Sequence, residues 1–444
     1  MHSLPILTRK DVLSQAWPIL LSQASIPLVG LVDTAIIGRT GDATELAGVA
    51  LGASVIGFIF WSFGFLRMGV TGLTAQAIGA DNTNEVQSIL VRSVLIGCII
   101  GAVLTILQLL FISTAFQILQ AGPDVETAAT GYASARFWGA PAILASYAIN
   151  GWLLGLGKSK WALALQIITN SANILLDLYF VIELDMGAEG VGWGTAIAEW
   201  CALISGLIIC AVLISKNGGL KPHILQLTSL LNKDRLKHMF AVNGNIMIRT
   251  MALLALLTWF ANSGARQGEI QLAANHVLMQ MLTVSAFVLD AFAVTAEARV
   301  GAAFGAKSKQ HFWNAVKLTT EFAFSGALLA AIAIYFGGNT FIDIVVKNQE
   351  IVQTAKLFLP MAAAAPVLGV VAWQLDGIFI GTTNTAAMRS STVMTLIIYI
   401  ALDLALHPMG NWGVWIAFNA SYVLRAITLG AFLPQLIHRI DANK

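Results

Sequence analysis

Two aspartates stand inside long apolar stretches of this 444-residue chain: Asp33, in Leu31-Val32-Asp33-Thr34, and Asp177, in Asn173-Ile174-Leu175-Leu176-Asp177. A carboxylate at the centre of a membrane helix costs roughly 2.5 to 3.5 kcal/mol on insertion scales, so such residues usually face a protein interior and handle ions, protons or substrate. Asn170, Asn173 and Asp177 are spaced three and four apart, which places them on one stripe of a helix and lets them face one cavity. Two carboxylates enclosed in one cavity would resist double ionisation and share a proton. Thr195, beyond a loop containing Gly190, Gly192 and Gly194, and Tyr132 and Asn150 on the fourth apolar segment add polar groups to this constellation.

The second half carries ions of its own: Arg249, Asp290, Glu297, Asp376 and Asp403. Arg249 needs a partner, Asp290 or Asp376, either as a structural pair or as part of a cavity that attracts cations. Asp403, close to the outer end of its segment, reads as solvated. His276 has no second histidine nearby and reads as a satisfied core residue. Pro27 lacks an amide hydrogen and its ring conflicts with the carbonyl of Gln23, so it weakens the first helix on the approach to Asp33 and marks a possible hinge.

The elements that must position these residues follow from hydropathy. Hydrophobic residues make up 57% of the chain and charged ones 11%, against roughly 25% charged in soluble domains. Runs of about 20 apolar residues can cross a bilayer. Twelve are present, near 11–37, 46–78, 86–115, 126–154, 160–182 and 190–214, then 239–263, 270–304, 312–336, 351–380, 387–405 and 412–437. The expected fold class is an all-α membrane protein of twelve transmembrane helices in two six-helix lobes. Residues 1–214 form the first lobe, 215–238 a cytoplasmic linker with a surface helix near 224–231, and 239–444 the second lobe.

The lobes are related by a repeat. Residues 46–80 align without a gap to 272–306, an offset of 226, and the same offset pairs Gly151 with Gly377, Gly155 with Gly381 and Asp177 with Asp403. Six helices per half make the repeat parallel, with a transport site between or within the lobes. Asp33 has no carboxylate counterpart, because its equivalent is Trp259, so coupling should be asymmetric. Lysines and arginines crowd the termini and alternate loops, whereas the opposite loops hold only Arg39, Arg266 and Lys347; this bias puts both termini in the cytoplasm.

Several motifs together resemble the multidrug and toxic compound extrusion (MATE) transporters, in their DinF-like branch. They are Leu31-Val32-Asp33-Thr34, Leu66-Arg67-Met68, Thr71-Gly72-Leu73-Thr74-Ala75-Gln76-Ala77, Gly151-Trp152-Leu153-Leu154-Gly155, Asn173 to Asp177, and Leu375-Asp376-Gly377-Ile378-Phe379-Ile380-Gly381. The resemblance implies a monomeric antiporter of the bacterial inner membrane that exports small cationic or amphipathic compounds in exchange for protons or sodium ions. It also implies that Asp33, Asn173, Asp177 and Thr195 form the coupling site, with Tyr132 and Asn150 in support; the helical stripe adds Asn170, and the buried ions Arg249, Asp290 and Asp376 are the second-lobe substrate candidates. Some members hold sodium through a glutamate in the seventh helix; no acidic residue lies between Met239 and Asn262 here, which favours protons, with sodium at the first-lobe residues as the alternative.

Other classes fit less well. No basic tract interleaved with aromatics points to nucleic acid. Gly157-Lys158-Ser159 looks like the end of a phosphate-binding loop, but Trp152 occupies the required earlier glycine position and the preceding segment is a membrane helix. No cofactor is implied, and neither paired metal-binding histidines nor a nucleophile with its base supports an intramembrane enzyme. A flippase of lipid-linked cargo remains the rival transport reading.

Overall fold

A computed structural model describes residues 6–39, 42–119, 122–216, 218–221, 224 and 232–442. All regular structure in them is helical. The first half comprises α1 (Arg9–Gly38), α2 (Ala43–Ser62), α3 (Phe65–Gly79), α4 (Thr83–Ile106), α5 (Gln108–Leu119), α6 (Pro123–Phe137), α7 (Ala140–Gly155), α8 (Ser159–Asp177) and α9 (Gly187–Lys216). The second comprises α10 (Lys233–Arg266), α11 (Glu269–Gly305), α12 (Lys309–Val345), α13 (Gln349–Gly381), α14 (Thr385–Leu406), α15 (Asn411–Gly430) and α16 (Leu433–Ala442). The expected surface helix near 224–231 falls, apart from Ile224, outside the described residues.

Among the described residues, eleven helical stretches are long and apolar enough to cross a membrane, α2 and α3 together counting as one. The twelfth expected span is α6 and α7, broken at Trp138 and Gly139. Pro141 near the start of α7 fixes its own backbone angle and donates no hydrogen, which suits a new first turn and not a continuing helix. Side-chain caps fix other starts. Asp42 accepts from the amides of Thr44 and Glu45 at 2.8 and 3.2 Å, and Asn348 accepts from Glu350 at 2.9 Å; such a cap is worth about 1 kcal/mol.

The backbone contacts reproduce the sequence repeat within each half. A Cβ on Gly151 or Gly155 of α7 would strike the carbonyls of Arg67 or Thr71 on α3, and one on Gly377 or Gly381 of α13 would strike those of Ala293 or Glu297 on α11. Each contact in the second set lies 226 residues beyond its counterpart at both ends. Close approach of membrane helices through small residues accounts for these glycines.

The compact units depart from the expected division at 1–214 and 239–444 in two places. The start of α1, up to Leu20, and residues 75–81 join the unit containing His238 onward, while Leu21–Thr74 and Asn82–Lys237 form the other. Side-chain bonds explain the exchange. Arg9 pairs with Glu321 at 2.7 Å, Arg299 donates to Gln15 at 2.6 Å, and Gln76 donates to the Gly381 carbonyl at 2.9 Å. The expected linker is likewise held by the first half, where Gln87 of α4 donates to the Gly219 carbonyl at 3.0 Å.

Candidate functional site

The carboxylate of Asp177 lies where α8 ends and a wider π-helical turn, Leu178–Glu183, begins. Such turns interrupt regular helix packing and recur at functional sites. Asp177 is 0% exposed. Asn173, one turn earlier, donates from Nδ2 to Asp177 Oδ2 at 3.1 Å and to Thr195 Oγ1 at 2.9 Å. Thr195 in turn donates to the Val191 carbonyl at 2.9 Å, so its hydroxyl is left as an acceptor toward Asn173.

Glycines bring α9 close enough to make this arrangement. Gly190, Gly192 and Gly194 were expected in a loop; they instead lie inside α9, which Glu45 starts by accepting from the Ala188 amide at 2.5 Å. A Cβ on Gly194 would collide with the Asp177 carboxylate, and one on Gly192 with the backbone of Tyr132. The small residues therefore let one helix approach both α8 and α6.

Asp33 on α1 completes the group. Its carboxyl faces that of Asp177 within interaction distance. Three enclosed acceptor oxygens, Asp33 Oδ1, Asp177 Oδ1 and Asn173 Oδ1, have no hydrogen-bond donor. Eight residues before Asp33, Asn170 donates to Ser25 Oγ at 3.1 Å and accepts from Gln166 at 2.8 Å, so the stripe on α8 meets α1 at two levels. Helix α1 continues through Pro27, and the Thr34 hydroxyl bonds back to the Gly30 carbonyl at 2.7 Å. The expected stripe of Asn170, Asn173 and Asp177 is thus assembled with Asp33 and Thr195. Asn150, half-buried on α7, makes no hydrogen bond to this group.

Two charged residues here were missed. Arg136 of α6 forms an ion pair with Glu199 of α9 at 2.8 Å, both almost fully enclosed, and lies near enough to Asp33 and Asp177 to act on each electrostatically. Tyr132, one turn before Arg136, is buried beside Gly52. The signal was present, since both charges fall within expected spans, where an ionisable residue is a functional candidate by default.

In the second half, Asp376 is the partner of Arg249, and Arg425 of α15 joins them at 3.3 Å. Asp290 instead accepts from the Trp373 indole at 2.9 Å, and the Arg425 guanidinium lies 5.5 Å from the centre of that ring. Asp403 is not solvated: it is 5% exposed and accepts from Trp259 Nε1 at 2.9 Å and Ser263 Oγ at 2.5 Å. Its helix end is enclosed by α10, which hydropathy alone did not convey. His276 is exposed and pairs with Gln280 at 3.2 Å, so it is not a core residue.

The family model described as MatE matches residues 18–179 and 236–405, one segment in each repeat. The chain belongs to the MatE family. This MATE protein is 34% identical over 416 residues to DNA damage-inducible protein F of Escherichia coli K12, covering 94% of this chain and 90% of that one. It is 23% identical over 460 residues to a probable multidrug resistance protein NorM of Acinetobacter baylyi, covering 97% of each. Solved structures of MATE in the bent and straight conformations superpose with TM-scores of 0.88 and 0.86, each at 19% identity, covering 98% of this chain and 96% and 97% of theirs. The MATE protein is accordingly an integral membrane transporter of a multidrug efflux family, not an enzyme.

Proposed function

We propose that this MATE protein exports small cationic or amphipathic compounds in exchange for protons, with Asp33 and Asp177 as the pair that takes up and releases the coupling proton. The observation that carries this reading is the donor deficit at the pair: two facing carboxyls, each with an enclosed oxygen that lacks a donor. One proton placed between them supplies a hydrogen bond and removes one of two like charges. The amide of Asn173 turns its hydrogens toward Asp177 and Thr195. Neither partner offers a hydrogen in return, since Thr195 donates elsewhere, so the amide nitrogen is the end that fits. A sodium ion would want oxygens turned inward, and the same group becomes its site if Asn173 reverses; sodium antiport is therefore the second reading.

Protonation gives α1 a reason to move. The weakened turn before Pro27 lies six residues from Asp33, and solved relatives are described in bent and in straight conformations. Here the bend would follow the charge on Asp33, closing the path to one side and favouring release on the other. Moving one charge through 100 mV supplies about 2.3 kcal/mol, near a fiftyfold concentration ratio. The buried Arg249, Asp376 and Arg425 group is the candidate for orienting cargo in the second half. The chain would act as a monomer in the bacterial plasma membrane with both termini in the cytoplasm.

The deciding measurement is efflux of a fluorescent cation from reconstituted vesicles with pH and sodium gradients imposed separately. Efflux with the pH gradient alone, lost in Asp33→Asn, is the expected result. Efflux driven only by the sodium gradient would replace protons with sodium.

A further inference from the structure

We propose that Trp259 sets the proton stoichiometry of transport: it stands where a second coupling carboxylate would stand, and so keeps Asp403 out of the proton cycle. This rests on the reading of Asp33 and Asp177 as the coupling pair.

The argument begins with register. Asp403 and Trp259 lie 226 residues beyond Asp177 and Asp33, the offset that also relates the glycine contacts of α7 and α13. The contact is retained along with the positions. Asp177 meets Asp33 in the first half, and Asp403 meets Trp259 in the second, through a 2.9 Å bond from the indole nitrogen. The second half thus contains the same inter-helix junction with one member changed from an acceptor to a permanent donor.

One surrounding change runs the same way. Ser263, which donates to Asp403 at 2.5 Å, is equivalent to Ile37, which has no hydroxyl. The counterpart of Asn173 is Tyr399, one turn before Asp403 and fully buried, whose hydroxyl makes no hydrogen bond, so the indole and Ser263 take over the donor role that the amide has in the first half. From α10, Asp403 faces Trp259 and Ser263, with the Arg266 guanidinium 5.0 Å from the centre of the Trp259 ring. On its own helix it has Tyr399, with Tyr422 of α15 beyond. None of these is a second carboxyl. An indole N–H and a hydroxyl both serve Asp403, whereas the first-half pair receives one amide bond, from Asn173 to Asp177, and keeps an oxygen on each carboxyl without a donor.

The test is proton uptake by the purified full-length protein in lipid nanodiscs during an acid titration, with carboxyl bands followed by infrared difference spectroscopy. Wild type should show a buried-carboxyl band and an uptake component, over that of the surface carboxyls, that Asp33→Asn or Asp177→Asn removes and Asp403→Asn leaves unchanged. Trp259→Asp should restore a facing pair and about double that buried component, the excess vanishing when Asp403→Asn is added. The proposal is overturned if Asp403→Asn lowers uptake in the wild-type background, an arm that retains the indole and does not depend on tolerance of Trp259→Asp. It is equally overturned if folded Trp259→Asp gains no proton. A buried component that survives both Asp33→Asn and Asp177→Asn sinks the coupling reading instead, and the Asp403 arms report independently of it.

Discussion

Arg136 and Glu199 form an ion pair at 2.8 Å with side chains only 8% and 7% exposed, on helices that also flank the Asp33 and Asp177 pair. Taking one partner away leaves a charge enclosed without compensation, a loss of about 3 to 5 kcal/mol in buried pairs. Glu199→Gln should therefore lower thermal stability strongly, measurable as an earlier unfolding transition in detergent or nanodiscs. Arg136→Met with Glu199→Leu should recover most of it, because well-packed apolar replacements often match a buried pair. A double variant as unstable as Glu199→Gln would show that the pair contributes more than mutual neutralisation.

Asp33→Asn and Asp177→Asn should each reduce proton-driven efflux by about tenfold or more, and the double variant should lose little beyond either single one, as expected of groups that act as a unit. Independent contributions, seen as multiplying losses in vesicle assays, would mean that the two carboxyls do not share a proton.

Pro27→Ala restores an amide that can bond to the Gln23 carbonyl, straightening and stiffening α1. Efflux should fall severalfold while equilibrium binding of a fluorescent substrate stays near wild type. A parallel loss of binding would place Pro27 in packing and not in movement.

Gly377→Ala should destabilise the second half by about 1 to 3 kcal/mol, the usual penalty of overpacking, since its Cβ would meet the Ala293 backbone. Gly244→Ala, whose Cβ meets nothing within 4 Å, is the matched control and should be neutral or mildly stabilising. Unfolding transitions of the two variants decide the matter.

The legible parts of this molecule were those written as patterns along the chain. Apolar runs located the spans, and the stripe of Asn170, Asn173 and Asp177 announced a shared face that the structure brings together with Thr195 and Asp33. Partner choice was less legible, because it depends on which helices meet. Asp376, not Asp290, receives Arg249 since α10, α13 and α15 converge there, and Arg425 on the last of these gave no local sign of belonging to the group. Asp403 looked like a solvated helix end for the same reason: hydropathy reports distance from the membrane centre, and enclosure by Trp259 and Ser263 is a property of the neighbouring helix. The glycines of α9 misled in the opposite sense, reading as loop residues when their lack of a side chain serves close approach to Asp177 and Tyr132.

Among the described residues, helix α1 is the least enclosed of the long apolar helices and α13 the most. Beside Asp33, what fastens it to α8 is the bond from Asn170 to Ser25. Interhelical hydrogen bonds of this kind average about 0.6 kcal/mol in bilayers, well below the roughly 2.3 kcal/mol released by one proton descending 100 mV. If protons couple transport as proposed, the energy of one ion exceeds this fastening, while Arg9 and Gln15 keep the start of α1 held to Glu321 and Arg299.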